Sequence, residues 1–203
     1  MKFLITGASS SLASKLVAML LQSGKFSFRL LEHRSSARIE KCETVSGDMN
    51  DPESLERACQ GMDGVLHLAA LTHSSDDAEY FRVNREGTKN LLAACKRNNV
   101  KRFIFISSVA ASGEGGAYGL SKLESEELVC QSGLEWVIIR PSEVYGPQMK
   151  EGIGKLISWV ENLQFVPVIG DGSHCLSPVY IDDVVEAMAQ VMMNPGLISQ
   201  KLN

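Results

Sequence analysis

The sequence has 203 residues, 44% hydrophobic and 22% charged, with 20 Lys and Arg against 24 Asp and Glu. That balance excludes a disordered tail, a collagen-like fibre and a coiled-coil rod, and predicts one large domain, or one domain with a partial second lobe, whose core needs no metal or disulfide staples. A net charge of −4 with scattered Lys and Arg gives no electrostatic footprint for nucleic acid, so no such partner is expected.

The apolar start at residues 1–5 is broken by Thr6-Gly7 and followed by Lys15, so it reads as a buried first strand rather than a secretory leader. No window reaches the ~20 apolar residues of a bilayer span, and the expected location is cytoplasmic, with no membrane partner. Cys42, Cys59, Cys95, Cys130 and Cys175 form no C-x-x-C pair and read as buried thiols of a reducing compartment.

Short apolar runs then alternate with amphipathic stretches: strand 2–5, helix 12–21, strands 28–31 and 44–46, helix 52–59, strand 65–68, helix 79–95, strand 102–106, helix 119–129, strand 136–139. Six near-continuously apolar strands in this rhythm predict an α/β fold, a doubly wound parallel Rossmann-type sheet with helices on both faces. After Pro147 the pattern changes to a helix at 153–160, an extended piece at 166–169, a Gly170-Asp171-Gly172 turn and a final helix capped by Asp182 or Asp183.

The first strand runs into Thr6-Gly7-Ala8-Ser9-Ser10-Ser11-Leu12-Ala13, a strand-to-helix turn that would offer backbone N–H groups and a positive helix end to a pyrophosphate. Only Gly7 remains of the glycines of a dinucleotide fingerprint, with Ser10 and Ala13 in the other places; Ala13 is a tolerated variant, whereas the Ser10 side chain is expected to hinder close approach. Glu32 lies 25 residues beyond Gly7 and could accept hydrogen bonds from ribose hydroxyls, whereas Arg34 could pair with a 2′-phosphate. NAD is the expected cofactor, with NADP possible.

Tyr118 and Lys122, at i and i+4, share one helix face, where the ammonium would stabilise a phenolate and lower the Tyr pKa. Ser107 and Ser108 end the preceding strand, at the sheet edge where ligands bind.

With these motifs the sequence resembles extended short-chain dehydrogenases/reductases of the NAD-dependent epimerase/dehydratase family. The resemblance extends through Gly47-Asp48-Met49, residues 63–70, Asn84-Arg85-Glu86-Gly87-Thr88, residues 103–108, residues 140–147, Gly170-Asp171-Gly172 and residues 179–184. It implies that Gly7, Ser9, Ser10, Ser11 and Leu12 hold the pyrophosphate turn, and that Asp48 and Met49 border adenine. Leu68, Ala69 and Ala70 would line the pyrophosphate and ribose. Lys122 would hold the nicotinamide ribose, and Pro141 and Val144 would lie near the nicotinamide. Asn84, in a helix-start motif, is expected to be as much structural as cofactor-facing, and Ser107 is counted with the cofactor site.

By the same resemblance Tyr118 is the acid/base and Ser108 holds the reacting oxygen, giving epimerisation of a nucleotide sugar by transient hydride transfer. The alternatives are an NADP-dependent carbonyl or sugar reductase and a non-catalytic dinucleotide-binding regulator. Val109 and Ala110 stand where the dehydratase branch carries acids, which argues against dehydration.

Three further positions depart from the family pattern: Ser112 replaces a Tyr, Leu176 replaces a substrate-clamping Arg, and Glu143 replaces an Asn, which would bring negative charge toward a substrate diphosphate. The expected organisation is a Rossmann core at 1–147, a partial substrate lobe at 148–178 and a return to the core at 179–203, the substrate lobe being largely absent. The helix pair at 84–96 and 119–130 is expected to form a homodimer through Leu91, Cys95 and Leu123, unless these residues pack on the sheet. His67 reads as a satisfied core histidine, and no metal is expected at His33, His73 or His174.

Overall fold

Seven parallel strands form the central sheet, in the order β3-β2-β1-β4-β5-β6-β9, in a computed structural model that describes residues 1–33, 39–147, 152–162, 171 and 175–203. The strands are β1 (Lys2–Thr6), β2 (Ser27–Glu32), β3 (Glu43–Ser46), β4 (Gly64–His67), β5 (Arg102–Ile106), β6 (Glu135–Ile139) and β9 (Gln200–Leu202). Between them run α1 (Ser11–Leu21), α2 (Pro52–Cys59), α3 (Asp77–Tyr80), α4 (Gly87–Arg97), α5 (Gly116–Cys130), α6 (Ile153–Asn162) and α7 (Ile181–Met193). Outside the main sheet, β7 (Val144–Tyr145) pairs in parallel with β8 (Val179–Tyr180).

Strand alternation divides the core. Phe3 and Ile5 of β1 face α1 and α7, packing with Leu16, Leu20, Val185 and Met188, while Leu4 faces the other side with Leu55 of α2 and Leu91 of α4. The chain leaves β1 toward the β2 edge of the sheet and leaves neighbouring β4 toward the β5 edge, so a crevice opens at their carboxyl ends around Thr6 and His67.

The structure differs from the sequence expectation at several elements. The seventh strand, β9, was not foreseen; its register with β6 runs from Val137↔Gln200 to Ile139↔Leu202. The helix expected over 79–95 is divided by a π-helical turn at Phe81–Glu86, where the Asn84 carbonyl accepts from Thr88 Oγ1 at 2.6 Å and from Ser125 Oγ at 3.1 Å. Helix α7 begins at Ile181 after Tyr180, so neither Asp182 nor Asp183 caps it; Asp182 pairs with Lys15 Nζ at 2.5 Å. Leu91 and Cys95 are fully buried against the sheet and cannot form an exposed stripe for a second copy. Only Cys59 and Cys95 are buried thiols, and Cys175 is exposed.

The expected extended piece at 166–169, the glycines of the Gly170-Asp171-Gly172 turn, His174 and Arg34 lie outside the described residues. Among the described residues no helix is long and apolar enough to cross a membrane.

Candidate active site

A cleft of about 450 Å³ lies over the carboxyl ends of β1, β2 and β4. Its walls include Gly7, Ser9, Ser10, Asp48, Met49, Leu68, Ala69 and Ala70, eight of the residues expected to bind cofactor. Gly7 is required twice over: its φ is +69°, and a Cβ there would lie 2.7 Å from Ala69 N. Ser10 is the N-cap of α1, its Oγ accepting from Ala13 N–H at 3.2 Å, so the side chain expected to hinder approach is turned onto its own helix. Ser11 and Leu12 open the first turn of α1, whose N–H groups have no acceptors within the helix.

At the far end of the cleft, Asp48 pairs with His33 Nε2 at 3.2 Å. A hydrogen bond from Asn50 N–H, aided by the charges of His33 and Arg82, holds the Asp48 carboxyl below its ordinary range despite partial burial. Glu32 ends β2 in register with Ser46. His33, Asn50 and Arg82 line this end although sequence reasoning gave none of them a binding role; His33, directly after Glu32 at a strand end, was the available signal.

Beneath the cleft His67 is buried with both ring nitrogens satisfied. Thr88 Oγ1 donates to the Asn84 carbonyl, so it accepts from His67 Nε2 at 3.0 Å, and Nδ1 accepts from Thr6 Oγ1 at 2.6 Å. Burial, with the charge of Lys122 nearby, pushes His67 down to about 3. It is the core histidine that its apolar strand implied.

Helix α5 brings Tyr118 and Lys122 beside the end of β5. The Tyr118 ring meets Tyr80 edge-on at 6.0 Å, and Ala110 N–H donates to Ser108 Oγ at 3.1 Å. Burial pushes the Tyr118 phenol above its ordinary value; the Ser108 hydroxyl acts in the opposite direction, and Tyr80 adds to the rise. The expected lowering by Lys122 does not arise in this arrangement, where the ammonium is bonded to the Ile106 carbonyl. The Lys122 ammonium is buried, donates to the Ile106 carbonyl at 2.8 Å and lies 4.1 Å from the centre of the Phe105 ring. Burial lowers its pKa to about 7, with Glu126 acting against the shift.

Three expected site residues have their polar atoms engaged within the protein. Asn84 is buried: its Oδ1 accepts from Leu71 N at 2.7 Å, and its Nδ2 donates to Leu71 O and Ser121 Oγ. Buried Ser107 donates to Glu126 Oε1 at 2.6 Å. Glu143 accepts from Ile153 N–H at 3.1 Å, which places its charge at the start of α6. Pro141 accepts from Val109 N–H at 3.1 Å, and Val144 lies in β7 opposite Val179.

A model of the NAD dependent epimerase/dehydratase family matches residues 3–202. The chain belongs to that family. A UDP-glucose 4-epimerase of Vibrio cholerae is 30% identical over 223 residues, covering 97% of this chain and 68% of that protein. A ceramide reductase of Caulobacter vibrioides is 29% identical over 198 residues, covering 95% of this chain and 61% of that protein. The crystal structure of UDP-glucuronic acid 4-epimerase from Bacillus cereus in complex with NAD matches with a TM-score of 0.85 at 26% identity, covering all of this chain and 76% of that one. The chain thus spans 61% to 68% of the length of these two curated relatives. Family membership and the parallel sheet agree with the resemblance read from the sequence.

Proposed function

We propose that the chain binds NAD in the cleft at Gly7 and epimerises a nucleotide sugar, with Ser108, Tyr118 and Lys122 at the reacting end. The observation that carries this reading is the convergence of a glycine-dependent turn, a helix N-terminus and a Tyr and Lys pair on one sheet edge. The residues present fit a dinucleotide: the Gly7 turn leaves no room for a side chain, and the α1 terminus beside it suits a pyrophosphate.

When bound there, NAD supplies a hydride acceptor and, for the return, a hydride donor. Ser108 Oγ holds the substrate oxygen, and Tyr118 Oη takes the hydroxyl proton and later gives it back. The Lys122 ammonium, once drawn from the Ile106 carbonyl toward the site, favours the phenolate. Reduction on the opposite face of the sugar then inverts the carbon without an external redox partner. UDP-linked sugars are the favoured substrates because the V. cholerae and B. cereus proteins are named for them.

A net reductase is the second reading, favoured by the likeness to the ceramide reductase. Calorimetric titration with NAD and NADP, followed by turnover assays on UDP-sugars, separates the readings. Micromolar binding of NAD with epimer formation supports the first. Oxidation of NADPH by a carbonyl substrate with no epimer formed overturns it.

A further inference from the structure

Helix α5 carries a third polar group on the spacing of Tyr118 and Lys122. Glu126 is 0% exposed, a position a carboxylate holds only when paired. Its Oε1 accepts from Ser107 Oγ at 2.6 Å and Arg140 Nε at 2.8 Å; its Oε2 accepts from Arg140 Nη2 at 2.6 Å and Lys201 Nζ at 3.0 Å. These donors come from the ends of β5 and β6 and from β9.

The bonds bear directly on the reacting end. Ile106, one residue before Ser107, is the acceptor for Lys122, and Ser108, one residue after, acts on the Tyr118 phenol. Successive residues of one strand end are thus tied to α5 through Lys122 and Glu126, beside the backbone bonds from Ser107 N–H to the Ile139 carbonyl at 2.7 Å and from Val109 N–H to the Pro141 carbonyl at 3.1 Å.

Charge adds a second link. Arg140 and Lys201 share one carboxylate, and Lys122 is the next cation up the helix. Lys122 is faced by His67 from β4, by the Phe105 ring and Ile106 carbonyl from β5, and by Glu126 on its own helix. Glu126 is faced by Ser107, Arg140 and Lys201, with Cys130 a turn below.

We propose that Glu126 is a positioning residue, fixing the strand end that carries Ser108 and balancing the cations beneath Lys122. The proposal rests on the reading of Ser108, Tyr118 and Lys122 as the reacting site.

The test is NMR titration of the full chain carrying ¹³C-labelled lysine and tyrosine, with Lys122 and Tyr118 assigned through Lys122→Met and Tyr118→Phe. Glu126→Gln is expected to lower the Lys122 midpoint by about one pH unit or more. Ser107→Ala keeps the ion pairs, and is expected to leave Lys122 in place while raising Tyr118, because the strand end that carries Ser108 loses its side-chain tie to α5 and is held by its backbone bonds alone. In an active protein it also lowers kcat about tenfold with little change in KM for the cofactor. A folded Glu126→Gln with an unmoved Lys122 midpoint overturns the proposal. Where that variant does not fold, an unmoved Tyr118 midpoint in Ser107→Ala overturns it instead. Moved midpoints in a protein that neither binds NAD nor turns over uphold the positioning role and overturn only the proposed function.

Discussion

The Lys122 ammonium, one helical turn beyond Tyr118, donates to the Ile106 carbonyl at 2.8 Å. Buried there, its pKa stands at about 7 against an ordinary 10.5. Between those values the unfolded chain holds a proton that the folded chain has released, so stability rises as pH climbs from about 7 toward 10.5. Urea unfolding of the free protein at several pH values across the lower half of that window should show this gain in the wild type and its loss in Lys122→Met. Parallel curves for the two proteins would refute the assignment.

Tyr118 is held between Tyr80 and the Ser108 hydroxyl, and its burial raises the phenol above its ordinary value. Tyr118→Phe removes the hydroxyl proposed to accept the substrate proton while keeping the ring contact with Tyr80. Turnover should fall by about 100-fold or more, with cofactor affinity changed less than about twofold. Comparable turnover in wild type and variant would remove Tyr118 from the chemistry.

The parallel strands were legible because fully buried strands must be apolar throughout, as β5 is from Arg102 to Ile106 apart from its first residue. Asp48, Met49 and Leu68 to Ala70 were placed at the cofactor site by the family resemblance, and all five line the cleft. Strand β9 was not legible, since Gln200 and Lys201 are exposed edge residues with no apolar alternation. The π-helical turn depends on Thr88, Ser125 and Leu71 meeting Asn84 across distant parts of the chain, which helical periodicity does not report. Glu126 was within reach of the spacing that singled out Tyr118 and Lys122; its significance appears only when β6 and β9 bring Arg140 and Lys201 to it.

Glu32 ends β2 directly before His33, which lines the cleft and pairs with Asp48. A carboxylate there would accept hydrogen bonds from adenosine ribose and repel a 2′-phosphate. Glu32→Ala should weaken NAD about tenfold and leave NADP affinity equal or improved. Titration of both cofactors against wild type and variant checks this, and an unchanged affinity ratio would shift cofactor choice to other residues.

Gly7 joins fold and site most closely, because its αL backbone and its approach to Ala69 are both imposed by the β1 turn. Alanine at this position incurs the left-handed penalty and must also displace Ala69 N and Leu68 C, backbone atoms 2.7 and 2.8 Å from the new Cβ. Ala69 N–H already donates to Thr6 Oγ1 at 3.2 Å, and Thr6 holds His67, so displacing Ala69 also strains the buried threonine and histidine chain. Gly7→Ala should cost about 2–4 kcal/mol in urea unfolding and weaken NAD by at least tenfold in whatever protein remains folded. Wild-type stability in this variant would show that the turn relaxes freely, and it would remove the steric argument for a dinucleotide at this sheet edge.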